Sequence, residues 1–140
     1  MATARAIATA YGAFVAPAGP LAVRPETLTA LTAPATPARR GFYDECLHGP
    51  AKFSLGFLKP SETFPFGSDA AFGAPGAGGS MGFSDPELRL GYGYVTDKMG
   101  VHLQGDPRDL ALRQALGSVL GLQHVQLRPN RPSPSASSGP

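Results

Sequence analysis

Residues 72–99 read FGAPGAGGSMGFSDPELRLGYGYVTDKM. From Ala70 to Gly82 the chain is dominated by glycine, at positions 73, 76, 78, 79 and 82. Backbone so rich in glycine takes up positive φ, comes close to a ligand, or packs tightly against a neighbour. GGSMGFSD and LRLGYGYVTDKM follow as two short segments joined by Ser84-Asp85-Pro86-Glu87, a favourable turn sequence. The simplest reading is an antiparallel hairpin. Glycines within both arms weaken strand propensity, so the hairpin depends on a larger sheet.

Working outward, the segment after this block carries the clearest helix signal. Asp106 is placed as N-cap, Pro107 at the first helical position, and Asp109 adds negative charge to the first turn. Leu112, Leu116, Val119 and Leu120 then form an i, i+4, i+7, i+8 stripe expected to face the core. Upstream, Phe53, Leu55 and Phe57 alternate, which predicts one strand over 52–59 with a buried face, closed by Lys59-Pro60. Pro25 opens a short helix with Leu28 and Leu31 inward, and Pro34 and Pro37 stop it. Nearer the start, Ile7, Tyr11, Phe14 and Val15 fall on one helical stripe, ended by Pro17 and Gly19-Pro20. Arg5 with Ala16-Pro17-Ala18 loosely mimics a signal peptide, and the lack of acids before Glu26 leaves a transit-peptide reading open. Thr9, Tyr11 and Gly12 interrupt the apolar run, so the ordinary helix is preferred.

Composition bounds the function classes. The 140 residues contain 18 Gly and 15 Pro, yet 42% apolar content keeps the chain out of the disordered class. No apolar run approaches the length of a membrane span, and the glycines lack the three-residue period of collagen. A single cysteine, Cys46, forbids an internal disulfide and points to a reducing, cytoplasmic compartment. The net charge of +2 divides into +3 over residues 1–40, −3 over 41–100 and +2 over 101–140. There is no basic stripe interleaved with aromatics, so nucleic-acid binding has no footprint. RPNRPSPSASSGP, residues 128–140, has nothing to bury and is expected to be disordered, leaving 1–127 as the domain.

The residues that carry chemistry narrow quickly. No lysine follows Gly79 as a P-loop requires, and Gly76-Ala77-Gly78-Gly79-Ser80-Met81 fails the dinucleotide fingerprint. Cys46 and His48, beside Asp44 and Glu45, offer two soft ligands with no second pair, where zinc wants four. A surface turn after Phe42-Tyr43 is the preferred reading, and neither a metal nor a cofactor is expected. Ser80 stands in Gly78-x-Ser80-x-Gly82, which has the outline of a hydrolase nucleophile elbow without the following helix.

The 72–99 block resembles the C-terminal part of the serine β-lactamase-related family, which groups class C β-lactamases, penicillin-binding-protein-like DD-peptidases and related esterases. The family's form there reads like FGHTGxGGSxGFxDPExxLxxxYVxNRM. Phe72-Gly73, Gly76, Gly78-Gly79-Ser80, Gly82-Phe83, Asp85-Pro86-Glu87 and Tyr94-Val95 match it. PETLTALTAP (25–34), KFSLGFL (52–58) and the final helix also resemble neighbouring family segments, so the likeness covers roughly residues 2–120.

The resemblance implies an α+β fold: a partial antiparallel sheet of about three strands flanked by helices, a truncated form of the β-lactamase/transpeptidase fold. It also places the family's third motif, a KTG or HTG triplet on the innermost strand, at Ala74-Pro75-Gly76. Ala74 lacks the cationic or hydrogen-bonding side chain of that motif and Pro75 lacks its hydroxyl. The backbone N–H of Ala77 would be one of two oxyanion donors, a role independent of side chain. Gly78, Gly79 and Ser80 form the accompanying glycine-rich loop. No serine has a lysine three residues later, and no tyrosine begins Y-x-N, so the family's nucleophile and base are absent. The expected function is therefore the C-terminal fragment of an ester or amide hydrolase working through an acyl-enzyme, inactive alone. Its partner would be a missing N-terminal half or a homologous full-length chain. Two alternatives stand beside this: a non-enzymatic remnant binding a partner through its exposed sheet edge, and a small esterase pairing Ser80 with His48 or His102.

Overall fold

The computed structural model describes residues 2–16 and 21–121. The Pro17 to Pro20 stop and the 128–140 tail lie outside the described residues. In chain order the elements are α1 (Ala4–Gly12), α2 (Pro25–Thr32), β1 (Tyr43–Asp44), β2 (Gly49–Pro50), β3 (Phe53–Ser54), β4 (Phe57–Leu58), β5 (Phe72–Gly76), β6 (Ser80–Asp85), β7 (Leu90–Tyr94) and α3 (Pro107–Val119). The architecture is α+β, as expected. β3 to β7 make one antiparallel sheet in sequence order, and β1 pairs with β2 in a separate ribbon. The sheet thus has five strands rather than about three, although only β5, β6 and β7 exceed two residues.

The expected β6–β7 hairpin is present, with its turn two residues later than Ser84–Glu87, because Ser84 and Asp85 still pair with Gly91 and Leu90. Asp85 ends β6, and its Oδ1 accepts the Leu88 N–H at 3.1 Å, closing a turn over Pro86 to Arg89. The same carboxylate accepts the Ser68 N–H at 2.6 Å and the Ser68 hydroxyl at 2.9 Å, tying the 67–69 segment to the hairpin. A buried carboxylate needs such donors to offset its desolvation.

Register sorts the sheet's side chains onto two faces. Gly82, Ser84, Gly91 and Gly93 lie beneath α1, where a Cβ on Gly93 would stand 2.6 Å from the Ala8 nitrogen. Tyr11 and Phe14 of the α1 segment cluster edge-on with Phe57 and Phe72 on that side. Met81, Phe83 and Tyr92 face the other way, joining Leu58, Phe64, Phe66 and Ala71 in the main core beneath α3. The Ser84 Oγ is buried under α1 and has no hydrogen-bond partner among the described residues. Ser84→Ala removes that orphan and is expected to leave stability unchanged or raise it by up to about 1 kcal/mol. A urea midpoint corresponding to a loss above that amount would show that the hydroxyl is satisfied in solution.

Three sequence expectations are corrected. First, 52–59 is not one strand. Leu55 (φ 50°) and Gly56 (φ 85°) form a two-residue turn between β3 and β4, the positive-φ pair a type I′ hairpin needs. Phe53 and Leu55 are consequently exposed, while Leu58 and Lys59 are buried. Second, α3 turns a different face inward. Asp109, Arg113 and Gly117 are buried and Leu116 half-buried, while Leu112, Val119 and Leu120 are exposed. Third, α1 stops at Gly12, short of the expected Pro17, and continues only as a turn in which Val15 and Ala16 donate to the Gly12 carbonyl. Its stripe is half-buried, since α1 lies on glycines rather than in a deep groove.

The buried Lys59 ties α2 to the sheet. Its Nζ donates to the carbonyls of Leu31 (2.9 Å), Thr32 (3.3 Å) and Ala70 (3.3 Å). Two of these are orphan carbonyls of the α2 C-terminus, where a cation also meets the negative end of the helix dipole. Burial lowers the ammonium's pKa, opposed by the charges of Asp85 and Asp69.

Candidate active site

Ala74, Pro75 and Gly76 occupy the second half of β5, the middle strand of the five. On one side they pair fully with β6: Ala74 opposite Gly82, Pro75 opposite Met81, Gly76 opposite Ser80. On the other side β4 reaches only as far as Leu58 opposite Gly73. Backbone groups alternate in direction along an antiparallel strand, so Gly73 and Pro75 address the β4 side alike. Pro75 therefore sits where β4 no longer pairs, and its missing N–H leaves no ladder bond unmade.

This open flank continues to Ala77. The Gly76 carbonyl points into the β5–β6 turn, where it accepts the Gly79 N–H at 3.2 Å. The peptide is trans, so its N–H, which belongs to Ala77, points the opposite way, out over the flank. Ala77 is exposed, and among the described residues its N–H has no acceptor. The hydrogen bond to the Gly76 oxygen polarises the same peptide and makes this N–H a better donor.

Behind Ala77 the turn is packed closely. Gly78 (φ 89°) and Gly79 (φ 109°) are buried in left-handed backbone that side-chain-bearing residues rarely adopt. A Cβ on Gly78 would stand 2.8 Å from Met99 Cε, and one on Gly79 would meet the Asp106 carboxylate. Ser80 begins β6 half-buried, with its Oγ against the Gly76 α-carbon.

The other candidates disperse. The Ser80 Oγ makes no hydrogen bond to either His48 or His102 among the described residues. His48 sits in the β1–β2 turn with φ 50°. Asp44 shapes that turn, its Oδ1 accepting the Cys46 and Leu47 N–H groups at 2.9 and 2.8 Å, and Glu45 pairs with Arg40 in solvent. Cys46 is exposed, and the surface-turn reading fits all of these residues. Among the described residues no three His, Cys, Asp or Glu side chains gather as metal ligands. No helix there is long and apolar enough to cross a membrane.

Three solved structures share this fold over part of their length. A family VIII carboxylesterase aligns over 81% of this chain at 32% identity and a TM-score of 0.68. A penicillin-binding protein homologue from Caulobacter crescentus aligns over 84% at 31% identity and 0.70. What the chain matches is part of a serine β-lactamase-related fold. EstA from Arthrobacter nitroguajacolicus, another similar structure, matches over 86% at 30% identity and 0.69. The chain spans about a third of the length of those structures, 30% of the carboxylesterase and 32% of each of the other two. No protein-family model and no curated protein matches it.

Sequence reasoning took Asp106 only as a helix cap and passed over Arg108. Asp106 does cap α3, its Oδ1 accepting the Arg108 N–H at 3.0 Å. It is also buried, and Arg108 grips both of its oxygens, Nε to Oδ1 at 2.9 Å and Nη2 to Oδ2 at 2.8 Å. Hydrogen bonds from the Arg108 side chain hold the Asp106 carboxyl at about 2, below its ordinary 3.8. The spacing Asp106-x-Arg108 was the available signal, hidden by the ordinary cap reading.

Proposed function

We propose that this chain supplies the oxyanion strand of a β-lactamase-related serine hydrolase, as the C-terminal portion of its catalytic domain. The observation that carries the reading is the exposed Ala77 N–H, directed by peptide geometry over the open flank of β5. An N–H fixed there stabilises the oxygen of a tetrahedral intermediate formed from an ester or amide carbonyl. Ala74 and Pro75 leave the triplet without a charged or hydroxyl side chain, which suits simple esters better than substrates recognised through a carboxylate. The nucleophile and base come from outside this sequence, since it contains neither S-x-x-K nor Y-x-N. The completing piece is a preceding segment or a homologous chain.

Treating the purified chain with a fluorophosphonate or penicillin-type probe and weighing it intact tests this. The expected spectrum shows no adduct. A stoichiometric adduct on Ser80 would overturn the reading and reinstate the small-esterase alternative. A second reading, a remnant that binds through its sheet edge, is favoured by β7, whose Leu90–Tyr94 backbone pairs with β6 alone among the described residues. Sedimentation of the same preparation separates the two: self-association blocked by a lysine at Leu90 favours edge pairing, and a monomer favours the hydrolase portion.

A further inference from the structure

The turn carrying Ala77 is held from behind by the segment that runs from the end of the 72–99 block to the α3 N-terminus. The Gly78 carbonyl accepts the Gly100 N–H at 2.8 Å, and the Gly78 N–H donates to the His102 carbonyl at 3.3 Å. Residues 96–105 thus strap the turn through its backbone, and nothing in those two bonds depends on side-chain identity. The Thr96 hydroxyl adds a long bond to the same Gly78 carbonyl at 3.4 Å and the Met99 side chain packs on Gly78, while the charged side-chain contacts enter at the α3 N-terminus. The Asp106 carboxylate fills the space between Gly79 and Gly100: a Cβ on Gly100 would stand 2.8 Å from Asp106 Oδ2, and one on Gly79 2.8 Å from Asp106 Cγ. Arg108 fixes that carboxylate from one side and donates through Nη1 to the Lys98 carbonyl at 2.9 Å. One guanidinium therefore joins the start of the strap, the carboxylate behind Gly79 and the helix end.

We propose that Asp106 and Arg108 are positioning residues, which aim the Ala77 N–H by locking the 96–105 strap against the Gly78-Gly79 backbone. The inference rests on the hydrolase reading for its purpose, but its mechanics stand on the turn alone. An oxyanion donor works because it is already aimed before charge develops, so the rigidity of its peptide is what the site needs from its surroundings. A planar, forked cation is suited to this because it holds two carboxylate oxygens and a carbonyl at once, which an ammonium cannot do with the same geometry. Neither residue touches the reacting atoms.

Amide hydrogen exchange on the full chain, residue by residue, provides the test, with wild type beside Arg108→Gln and Arg108→Lys. In Arg108→Gln the Gly78 and Gly100 amides are expected to exchange about tenfold faster or more, while the Phe83 and Tyr92 amides of the β6–β7 ladder keep their protection. Arg108→Lys is expected to recover less than half of the lost protection on a logarithmic scale, because charge returns without the fork. Unchanged exchange at Gly78 and Gly100 would overturn the proposal. So would an equal loss across the whole sheet, which marks a merely structural role, and so would full rescue by lysine. Should Arg108→Gln fail to fold, Asp106→Asn takes its place with the same amides read. The outcome is independent of probe labelling: an adduct on Ser80 would end the hydrolase reading while leaving the strap's mechanics intact, and unchanged exchange would do the reverse.

Discussion

Gly91→Val is expected to unseat α1 and cost about 3 kcal/mol or more, most of what a small domain has to spare. A Cβ at position 91 would fall on the Gly12 nitrogen and Cα and 2.6 Å from the Ala8 carbonyl oxygen. At Gly93, two residues on and on the same face, it would stand 2.6 Å from the Ala8 nitrogen. These are backbone atoms of a helix, so no side chain can swing aside. The helix must lift, and in lifting it withdraws Tyr11 and Phe14 from the aromatic cluster with Phe57 and Phe72. Gly49→Ala is the control: its Cβ would meet nothing nearer than the Leu47 carbonyl at 3.8 Å, and the change should stay within about 0.5 kcal/mol. Urea unfolding of both variants decides the matter. A Gly91→Val protein within about 1 kcal/mol of wild type would mean that α1 does not rest on β7 in solution.

The same glycines show what could be read in the sequence. Glycines at 82, 91 and 93 were legible as weak strand formers that need a larger sheet, and the sheet is there. Their purpose was not legible, because a seat for a helix is a property of two segments some eighty residues apart. Turn chemistry at Asp85-Pro86 transferred directly, since an Asx side chain bonding its own backbone is a local event. The Leu55-Gly56 turn was local as well. It was overruled by the alternation of Phe53, Leu55 and Phe57, a period that a tight hairpin can present without a buried face. For the site, the likeness of the 72–99 block to a known family located Ala74 to Ser80, and the structure shows where they sit. That β4 stops short and leaves the flank of Pro75 and Ala77 open depends on where a neighbouring strand ends, which no motif records.

The α3 face is the largest departure, and it makes the second large prediction. Hydropathy assigned the inward face to Leu112, Leu116, Val119 and Leu120, whereas Asp109 and Arg113 are buried with about 2% and 5% exposure. Arg113 Nε donates to Asp109 Oδ2 at 2.9 Å, Tyr92 Oη donates to Asp109 Oδ1 at 2.8 Å, and Arg113 Nη1 donates to the Pro65 carbonyl at 2.7 Å. A buried charge counts as polar in any pattern until its partner is known, and here the partners lie on β7 and in the 61–71 segment. Removing one member strands the other, so Arg113→Met is expected to cost about 3–5 kcal/mol, whereas Asp109→Leu/Arg113→Met together should cost far less than the sum of the singles. A double-mutant cycle in urea reads this, and additive costs would sink the account.

A pH titration of stability supplies an independent arm. Burial, reinforced by the Asp109 charge, pushes the Tyr92 phenol well above its ordinary 10.0. The folded protein therefore keeps this proton where the unfolded chain sheds it. Its contribution is whole below pH 10 and drains away as pH rises through the folded value. Tyr92→Phe should flatten that alkaline fall while leaving Asp109 paired with Arg113, at a cost near neutrality of about 1–2 kcal/mol. If the variant loses stability above pH 10 as steeply as wild type, the phenol is not the group that anchors α3 to the sheet.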